Sequence, residues 1–289
     1  MPLAATQLAR TLPPGPKGWS RLSATRDFVR DWMGFLERCA RTYGDIVFFR
    51  FLNTPICLVL HPDAIEYVLV KNPANFTKSS DYRAMEPLLG NGLLTSEGDF
   101  WQAQRKLIQP AFRYEHIISY ARTMLDSVAS MLATWRDGET RDIHEEMMAV
   151  TLEIVAKSLF GSDISRDSRR IGKALSVVME LLVSQVNMTF LLPESVPLPK
   201  TPRFRRAVRQ LDEIIYSIIR QRRSARHRSD DLLQTLLEAP DEHGSRMTDE
   251  QLRDEMMTLL LAGHETTANA LSWTWFLLAQ NPKASLQLA

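Results

Sequence analysis

The residues best suited to chemistry lie in one stretch near the C-terminal end, residues 262–267, which read AGHETT. Glu265 offers a carboxylate that could relay a proton. The hydroxyl of Thr266 could donate to the carbonyl of Ala262, four residues earlier, and such contacts tend to bend a helix. Gly263 weakens a helix by about 1 kcal/mol relative to alanine. Together these residues predict a local opening in a helix, next to an acid.

Small side chains extend this stretch along one helical stripe. The stripe contains Leu259, Ala262, Gly263, Thr266 and Ala270. Apart from the leucine, these residues are small enough for a flat ligand to approach the backbone. A close crossing of two helices, with a solvated Glu265, explains the same pattern equally well. The residues alone leave both interpretations open.

A zinc site is not predicted at this stretch. The HExxH motif of zinc proteases would begin with the pair His264-Glu265, but it requires a second histidine where the chain has Ala268. Cys39 and Cys57 have no nearby partner of the metal-ligand type, so both are predicted to be structural.

Trp101 and Arg105 form a second candidate site, because residues four apart share a helix face. An indole N–H and a guanidinium offer hydrogen-bond donors and no acceptor. Such a pair suits a carboxylate or a phosphate. The alternative is a core tryptophan beside a surface arginine, and on these two residues alone it is the better supported.

Both candidate sites are placed on helices by the sequence pattern. Residues Glu97–Ile108 form one apolar-periodic segment, and Thr248–Gln280 form a longer one. Thr248 and Gln251 provide a capping box at the start of the second segment, and Pro282 ends it. A helix of roughly 30 residues is about 45 Å long, enough to cross a whole domain.

The remaining pattern predicts a mainly α fold with a small β element near the N-terminus. Ile46–Phe51 and Ile56–Leu60 are rich in β-branched and aromatic residues and predict a hairpin. Apolar periodicity predicts further helices over Arg26–Thr42, Tyr114–Trp135, Ile143–Phe160, Arg166–Asn187, Pro202–His227 and Asp230–Glu238. Residues 79–95 are predicted to be mostly loop.

The composition excludes several classes of protein. Of the 289 residues, 45% are hydrophobic, so a large core can form. Lys and Arg number 35 against 34 Asp and Glu, and the net charge of +1 gives no field that would attract nucleic acid. Two distant cysteines fit a reducing compartment. The N-terminal residues contain no apolar core typical of a signal or an anchor, so we predict a cytoplasmic protein.

An arginine-rich segment, Pro202–His227, suggests nucleic acid or a membrane surface as a partner. We favour a solvated helix face instead, because the segment carries a clear apolar stripe. The stripe consists of Leu211, Ile214, Ile215, Ile218 and Ile219. This interpretation leaves at most a peripheral membrane contact.

Taken in order along the chain, the motifs resemble the cytochrome P450 family. They are Pro13–Pro16, Tyr43–Val47, Asn75-Phe76, Leu88–Leu94, Trp101 with Arg105, Pro110–Phe112 and residues 262–267. The resemblance implies that Glu97–Ile108 is the family's C helix and Thr248–Gln280 its I helix. It also implies one partial domain over residues 1–289. That domain would contain a leader (1–25), an N-terminal helix with a hairpin (26–75) and a helical part (76–289).

The family binds haem, here expected as haem b, and the resemblance implies roles for both candidate sites. Trp101 and Arg105 would hold a haem propionate. Ala262 and Gly263 would lie against one face of the haem. On that face, Thr266 would hydrogen-bond dioxygen and Glu265 would help to deliver protons.

The resemblance further implies a monooxygenase that hydroxylates a lipophilic organic substrate. Dioxygen and an electron donor of the ferredoxin or flavodoxin type would be its partners. By the same resemblance, the substrate pocket would include Leu88, Leu93, Leu94 and Leu191. Ordinary core packing is the alternative for these leucines.

One part of the family pattern is missing. In the family, a Glu-x-x-Arg pair and the haem-ligand cysteine follow the I helix, whereas this sequence stops at Ala289. Cys39 and Cys57 precede that helix. We therefore expect a truncated chain that cannot carry out thiolate-haem oxygenation by itself. The alternative is a non-catalytic, degenerate helical protein that binds an apolar ligand.

Overall fold

The computed structural model describes residues 12–16, 20–51, 54–79, 82, 84–161, 168–189, 201–225, 231–240 and 244–288. The described chain divides into two compact units, and the second unit begins at Ser79. Helices dominate, and a two-stranded sheet lies near the N-terminus. The predicted fold class is thus confirmed.

The first unit is built around the predicted hairpin. Its elements are helix α1 (Ser20–Arg30), helix α2 (Trp32–Tyr43), strand β1 (Ile46–Phe51), strand β2 (Thr54–Val59) and helix α3 (Pro62–Glu66). The strands pair antiparallel, with Ile46 opposite Val59 and Phe51 opposite Thr54. Side chains of a strand alternate between two faces, so β1 buries one row of them against the helices.

The prediction of a single helix over Arg26–Thr42 is wrong, because the helical conformation is interrupted at Asp31. The Asp31 carboxylate accepts a hydrogen bond of 3.0 Å from the backbone N–H of Gly34 and so caps α2. A capping residue leaves the helical backbone conformation, and Asp31 has φ −155°. A new helix therefore begins at Trp32.

In the second unit, the described secondary structure consists of helices, apart from one isolated bridge between Pro240 and Arg246. Its helices are α4 (Glu86–Leu89), α5 (Gly98–Ile108), α6 (Tyr114–Leu132), α7 (Ile143–Phe160), α8 (Ser168–Thr189), α9 (Pro202–Ser224), α10 (Leu232–Glu238), α11 (Asp249–Gln280) and α12 (Pro282–Leu288). The short α4 lies within the segment predicted as loop. The main core is formed chiefly by α7 to α11. Of the described helices, none is both long enough and apolar enough to cross a membrane.

The capping box predicted at the start of α11 is present. The Thr248 hydroxyl accepts a hydrogen bond of 3.2 Å from the backbone N–H of Gln251. In return, the Gln251 side chain accepts one of 2.8 Å from the backbone N–H of Thr248. Two N–H groups that lack a partner in the first helical turn are thereby satisfied. From this start, α11 runs for 32 residues, through Gly263.

The arginine-rich helix α9 buries its apolar stripe as predicted, but one of its arginines is not solvated. Arg222 donates to both carboxylate oxygens of Asp231 at 2.7 Å and to the carbonyl of Phe160 at 2.8 Å. Its side chain is 8% exposed. The guanidinium thus joins α9 to the cap of α10 and to the end of α7, and the sequence pattern gave no sign of these partners.

Candidate functional site

The side chains of Trp101 and Arg105, which were predicted to share a face of α5, are in contact. The guanidinium carbon of Arg105 is 5.2 Å from the centroid of the Trp101 ring, within the range of a cation–π contact. Arg105 is exposed, Trp101 is half-buried, and Arg105 makes no ion pair with any described residue. A planar cation is thus held over an aromatic ring with its donors available to an anion. The shared helix face is confirmed, whereas the role in binding a propionate stays a prediction.

The central stretch of α11 has two different faces. His264 and Ala268 are buried, whereas Ala262, Thr266 and Ala270 are exposed. On the buried side, Nε2 of His264 lies 3.1 Å from the carbonyl oxygen of Met148 in α7. The exposed side carries a strip of small residues, spaced four apart along the helix.

Gly263 contributes to the buried side. A Cβ atom at Gly263 would lie 3.0 Å from Cγ2 of Val155 in α7, closer than ordinary van der Waals contact. The glycine therefore lets α7 and α11 approach each other, which is the helix-crossing interpretation of this residue. Its predicted contact with haem stays a prediction.

The predicted contact of Thr266 is present. Its hydroxyl donates to the carbonyl of Ala262 at 2.5 Å. Thr258, Ser272 and Thr274 make the same contact with the carbonyl four residues earlier. The hydrogen bond alone therefore does not distinguish Thr266. What distinguishes it from Thr258 and Ser272 is its exposed position beside Ala262.

Glu265 is half-buried, not fully solvated. Burial raises the pKa of the Glu265 carboxyl above its ordinary value, and the nearby His144 in α7 partly opposes that rise. The ring of His144 also lies near α11, with Nδ1 3.3 Å from the hydroxyl of Ser272. A carboxyl with a raised pKa keeps its proton to higher pH, which suits a group that transfers protons near neutral pH.

The pKa of His264 is shifted in the opposite direction to that of Glu265. Burial lowers the pKa of its imidazole, and the hydrogen bond with the Met148 carbonyl only partly opposes this effect. His264 also lines a cavity of about 290 Å³ between α7, α8 and α11. The cavity lies on the α7 side of α11, whereas Thr266 lies on the exposed side.

The predicted pocket leucines are divided among different environments. Leu88 is fully buried in the main core, and Leu93 and Leu94 are half-buried and pack against that core. Leu191 lies outside the described residues. Core packing accounts for Leu88, while the partial exposure of Leu93 and Leu94 is compatible with a pocket wall.

Two acids of α11, Asp254 and Glu255, hold the loop before α5, and the sequence pattern did not predict this role. The backbone N–H of Asn91 donates to Oδ2 of Asp254 at 2.8 Å. The backbone N–H of Leu93 donates to Oε2 of Glu255 at 3.0 Å. A signal was available, because Arg253-Asp254-Glu255 places three charges in a row inside an apolar-periodic segment.

The two cysteines lie in the first unit. Cys39 is buried and Cys57 is exposed. Burial raises the pKa of the Cys39 thiol, so the thiolate that a metal requires is disfavoured there. Within the described ranges, no three His, Cys, Asp or Glu side chains form a cluster that could hold a metal ion.

Comparisons with known proteins identify the family of the chain. The sequence profile of the family named Cytochrome P450 matches residues 13–288. Cyclooctatin synthase of Streptomyces melanosporofaciens is 35% identical over 250 residues, covering 85% of this chain and 54% of the relative. Cyclooctat-9-en-7-ol 5-monooxygenase of the same organism is 33% identical over 245 residues, covering 83% and 53%.

A solved structure gives the same result for the fold. Retinoic acid-bound cyanobacterial CYP120A1 superposes with a TM-score of 0.75 at 26% identity, covering 94% of this chain and 60% of that one. The chain spans about half the length of the curated relatives it matches. Because the family profile extends over nearly every residue, the chain belongs to the cytochrome P450 family.

Proposed function

We propose that this chain supplies the dioxygen-side part of a haem site, in a monooxygenase that hydroxylates a lipophilic organic substrate. The stacked pair of Trp101 and Arg105 carries the proposal. An exposed guanidinium with no ion pair among the described residues is suited to a carboxylate, and the resemblance assigns this pair to a haem propionate.

The residues of α11 fit a planar cofactor. Ala262, Thr266 and Ala270 expose only small side chains, so a flat ring could approach the helix there. The opposite side of α11 is occupied by α7, which packs against Gly263 and His264. The cofactor would therefore contact the exposed strip, and Arg105 would neutralise one of its carboxylates.

The proposed chemistry divides between the cofactor and the protein. When bound, haem supplies the redox chemistry that activates dioxygen. Glu265 would transfer protons through its carboxyl, whose pKa is raised above its ordinary value by burial. His144 of α7 lies near Glu265 and partly opposes this rise. Thr266 would orient a small polar molecule at the exposed strip through its hydroxyl.

The substrate and the redox partner are proposed from the family and the relatives. One relative is a cyclooctat-9-en-7-ol 5-monooxygenase, and its name describes an alcohol as the substrate of that protein. We propose a lipophilic substrate of comparable character, with Leu93 and Leu94 in the pocket wall. Electrons would come from a donor of the ferredoxin or flavodoxin type, and the cofactor would be haem b.

We propose that the complete oxygenation reaction also requires a thiolate ligand for the haem. Cys39 is buried with a raised pKa, and Cys57 lies on β2. In the family, the ligand cysteine follows the I helix. We therefore propose that the thiolate comes from a segment that the longer relatives contain and these 289 residues do not.

A hemin titration of the purified 289-residue chain, followed by absorbance, tests the proposal. Arg105→Ala should weaken hemin binding about tenfold, since it removes a charge-assisted hydrogen bond. Arg209→Ala is the matched control, because Arg209 is an exposed arginine on a different helix, α9. Equal affinities in the wild type and both variants would contradict the proposal. The non-catalytic alternative predicts this same result.

A further inference from the structure

The loop that precedes α5 is fixed to the first half of α11 through its backbone. Two successive acids of α11, Asp254 and Glu255, accept the N–H groups of Asn91 and Leu93 at 2.8 and 3.0 Å. Hydrogen bonds from a backbone N–H to a carboxylate are stronger than those between neutral groups. The loop Gly90–Thr95 is therefore attached at two points, one on each side of Gly92.

Two glycines of the loop lie directly against α11. A Cβ atom at Gly90 would lie 2.1 Å from Oδ1 of Asp254, and Gly90 also has φ +55°, which favours glycine. A Cβ atom at Gly92 would lie 2.4 Å from the hydroxyl of Thr258. Both glycines thus allow the loop to approach α11 more closely than any other residue would.

Asp254 is itself held by a buried network. Arg253 donates from Nη1 to Asp254 at 2.9 Å and from Nε to Asp212 of α9 at 2.7 Å. Arg253, Asp254 and Glu255 are only 6%, 7% and 1% exposed. These charges are therefore removed from water and depend on their partners for compensation.

Stability alone does not explain such a network. Desolvation of a buried ion pair costs about as much as the attraction between its charges contributes, and apolar side chains of the same volume often serve equally well. Apolar side chains could not accept the N–H groups of Asn91 and Leu93. What the acids add is one defined conformation of the loop.

We infer that Asp254 and Glu255 are positioning residues, which fix the loop Gly90–Thr95 on α11. This inference deepens the proposed function and rests on it for the role of Leu93 and Leu94 as a pocket wall. The loop also leads into α5, which begins at Gly98 and carries Arg105. The same two hydrogen bonds therefore set where the propionate-binding helix begins relative to α11.

Backbone hydrogen exchange in the 289-residue chain, measured by mass spectrometry, tests the attachment. Asp254→Asn and Glu255→Gln keep the shape and remove the charge, so exchange in residues 90–96 should become about tenfold faster in each. Glu250→Gln is the control, since it makes the same charge change at an exposed position of α11. Exchange in α7 should stay the same in all three variants. Unchanged exchange at 90–96, or equal acceleration throughout the chain, overturns the inference.

A second variant leaves every charge in place. Gly92→Ala introduces a Cβ that cannot fit beside Thr258 and should free the loop, with the same local acceleration of exchange. If Gly92→Ala leaves exchange at 90–96 unchanged, the close approach of the loop is refuted. This variant keeps the inference testable if removal of a buried charge prevents folding.

Hemin titration of the same variants separates the inference from the proposed function. Asp254→Asn and Glu255→Gln should weaken hemin binding several-fold, while Glu250→Gln should not. If the wild-type chain binds no hemin but exchange at 90–96 responds as expected, the proposed function fails and the attachment stands. If hemin binds in an Arg105-dependent way and exchange does not respond, the attachment fails and the proposed function stands.

Discussion

At the scale of single residues, two neighbours in α11 differ in how burial affects their charge. His264 is 3% exposed and its pKa is lowered, so the folded chain favours the neutral imidazole. Glu265 is half-buried and its pKa is raised, so the folded chain favours the neutral carboxyl. Both groups are thus less charged when the chain is folded, but their effects on stability have opposite dependence on pH.

We predict that replacing each residue with glutamine isolates this difference. An imidazole with a lowered pKa costs stability as the pH falls below its ordinary value of 6.5, because the unfolded chain then binds more protons. His264→Gln should remove that loss, which is at most about 1.4 kcal/mol for each pH unit. A carboxyl with a raised pKa costs stability as the pH rises above 4.5. Glu265→Gln should therefore remove a loss of stability that develops as the pH rises, not as it falls.

Urea unfolding of the wild type and both variants between pH 4 and 8 measures these differences. Relative to the wild type, His264→Gln should gain stability towards pH 4, and Glu265→Gln should gain stability towards pH 8. Parallel curves for all three chains would show that neither group changes its pKa on folding.

At the scale of secondary structure, the crossing of α7 and α11 depends on Gly263. Alanine at this position would gain about 1 kcal/mol of helix propensity, but its Cβ would lie 3.0 Å from Val155. The contact opposes the propensity, and which effect dominates depends on whether Val155 can move.

We predict that Gly263→Ala stabilises the chain by about 0.5–1 kcal/mol more in a Val155→Ala background than in the wild type. Thermal or urea unfolding of the four chains in this double-mutant cycle gives the coupling directly. Ala270→Gly, at an exposed position of the same helix, should cost the same in both backgrounds. If Gly263→Ala also has the same effect in both, Val155 does not restrict the site.

Local signals were sufficient to predict most helices and the α11 cap. The bounds of α7 and the capping box of Thr248 and Gln251 agree with the structure, since periodicity and capping depend on nearby residues. The break at Asp31 was missed because an aspartate is a cap only when it leaves the helical conformation. The partners of Arg222 and of Asp254 were missed because they are distant in sequence, and a charge pattern does not name them.

At the scale of the molecule, the second unit exposes large apolar side chains. Leu125 on α6 is 71% exposed, and Trp273 on α11 and Leu286 on α12 are 64% and 80% exposed. The ends of α6 and α11 lie close together, since the rings of Trp135 and Trp275 are 6.4 Å apart. Exposed apolar side chains offer a hydrophobic ligand contacts outside the proposed site. Hemin affinity alone therefore cannot locate the haem site.

Hydrogen exchange of the 289-residue chain with and without hemin tests the central claim most directly, because it locates the bound ligand. We predict that hemin slows exchange in two segments together, residues 98–108 of α5 and residues 259–270 of α11. At a hemin concentration near the wild-type Kd, Arg105→Ala should reduce this joint protection several-fold, and Arg209→Ala should leave it intact. Protection confined to α6 and α12, or joint protection that is undiminished in Arg105→Ala at the same hemin concentration, would contradict a haem site built by these two helices.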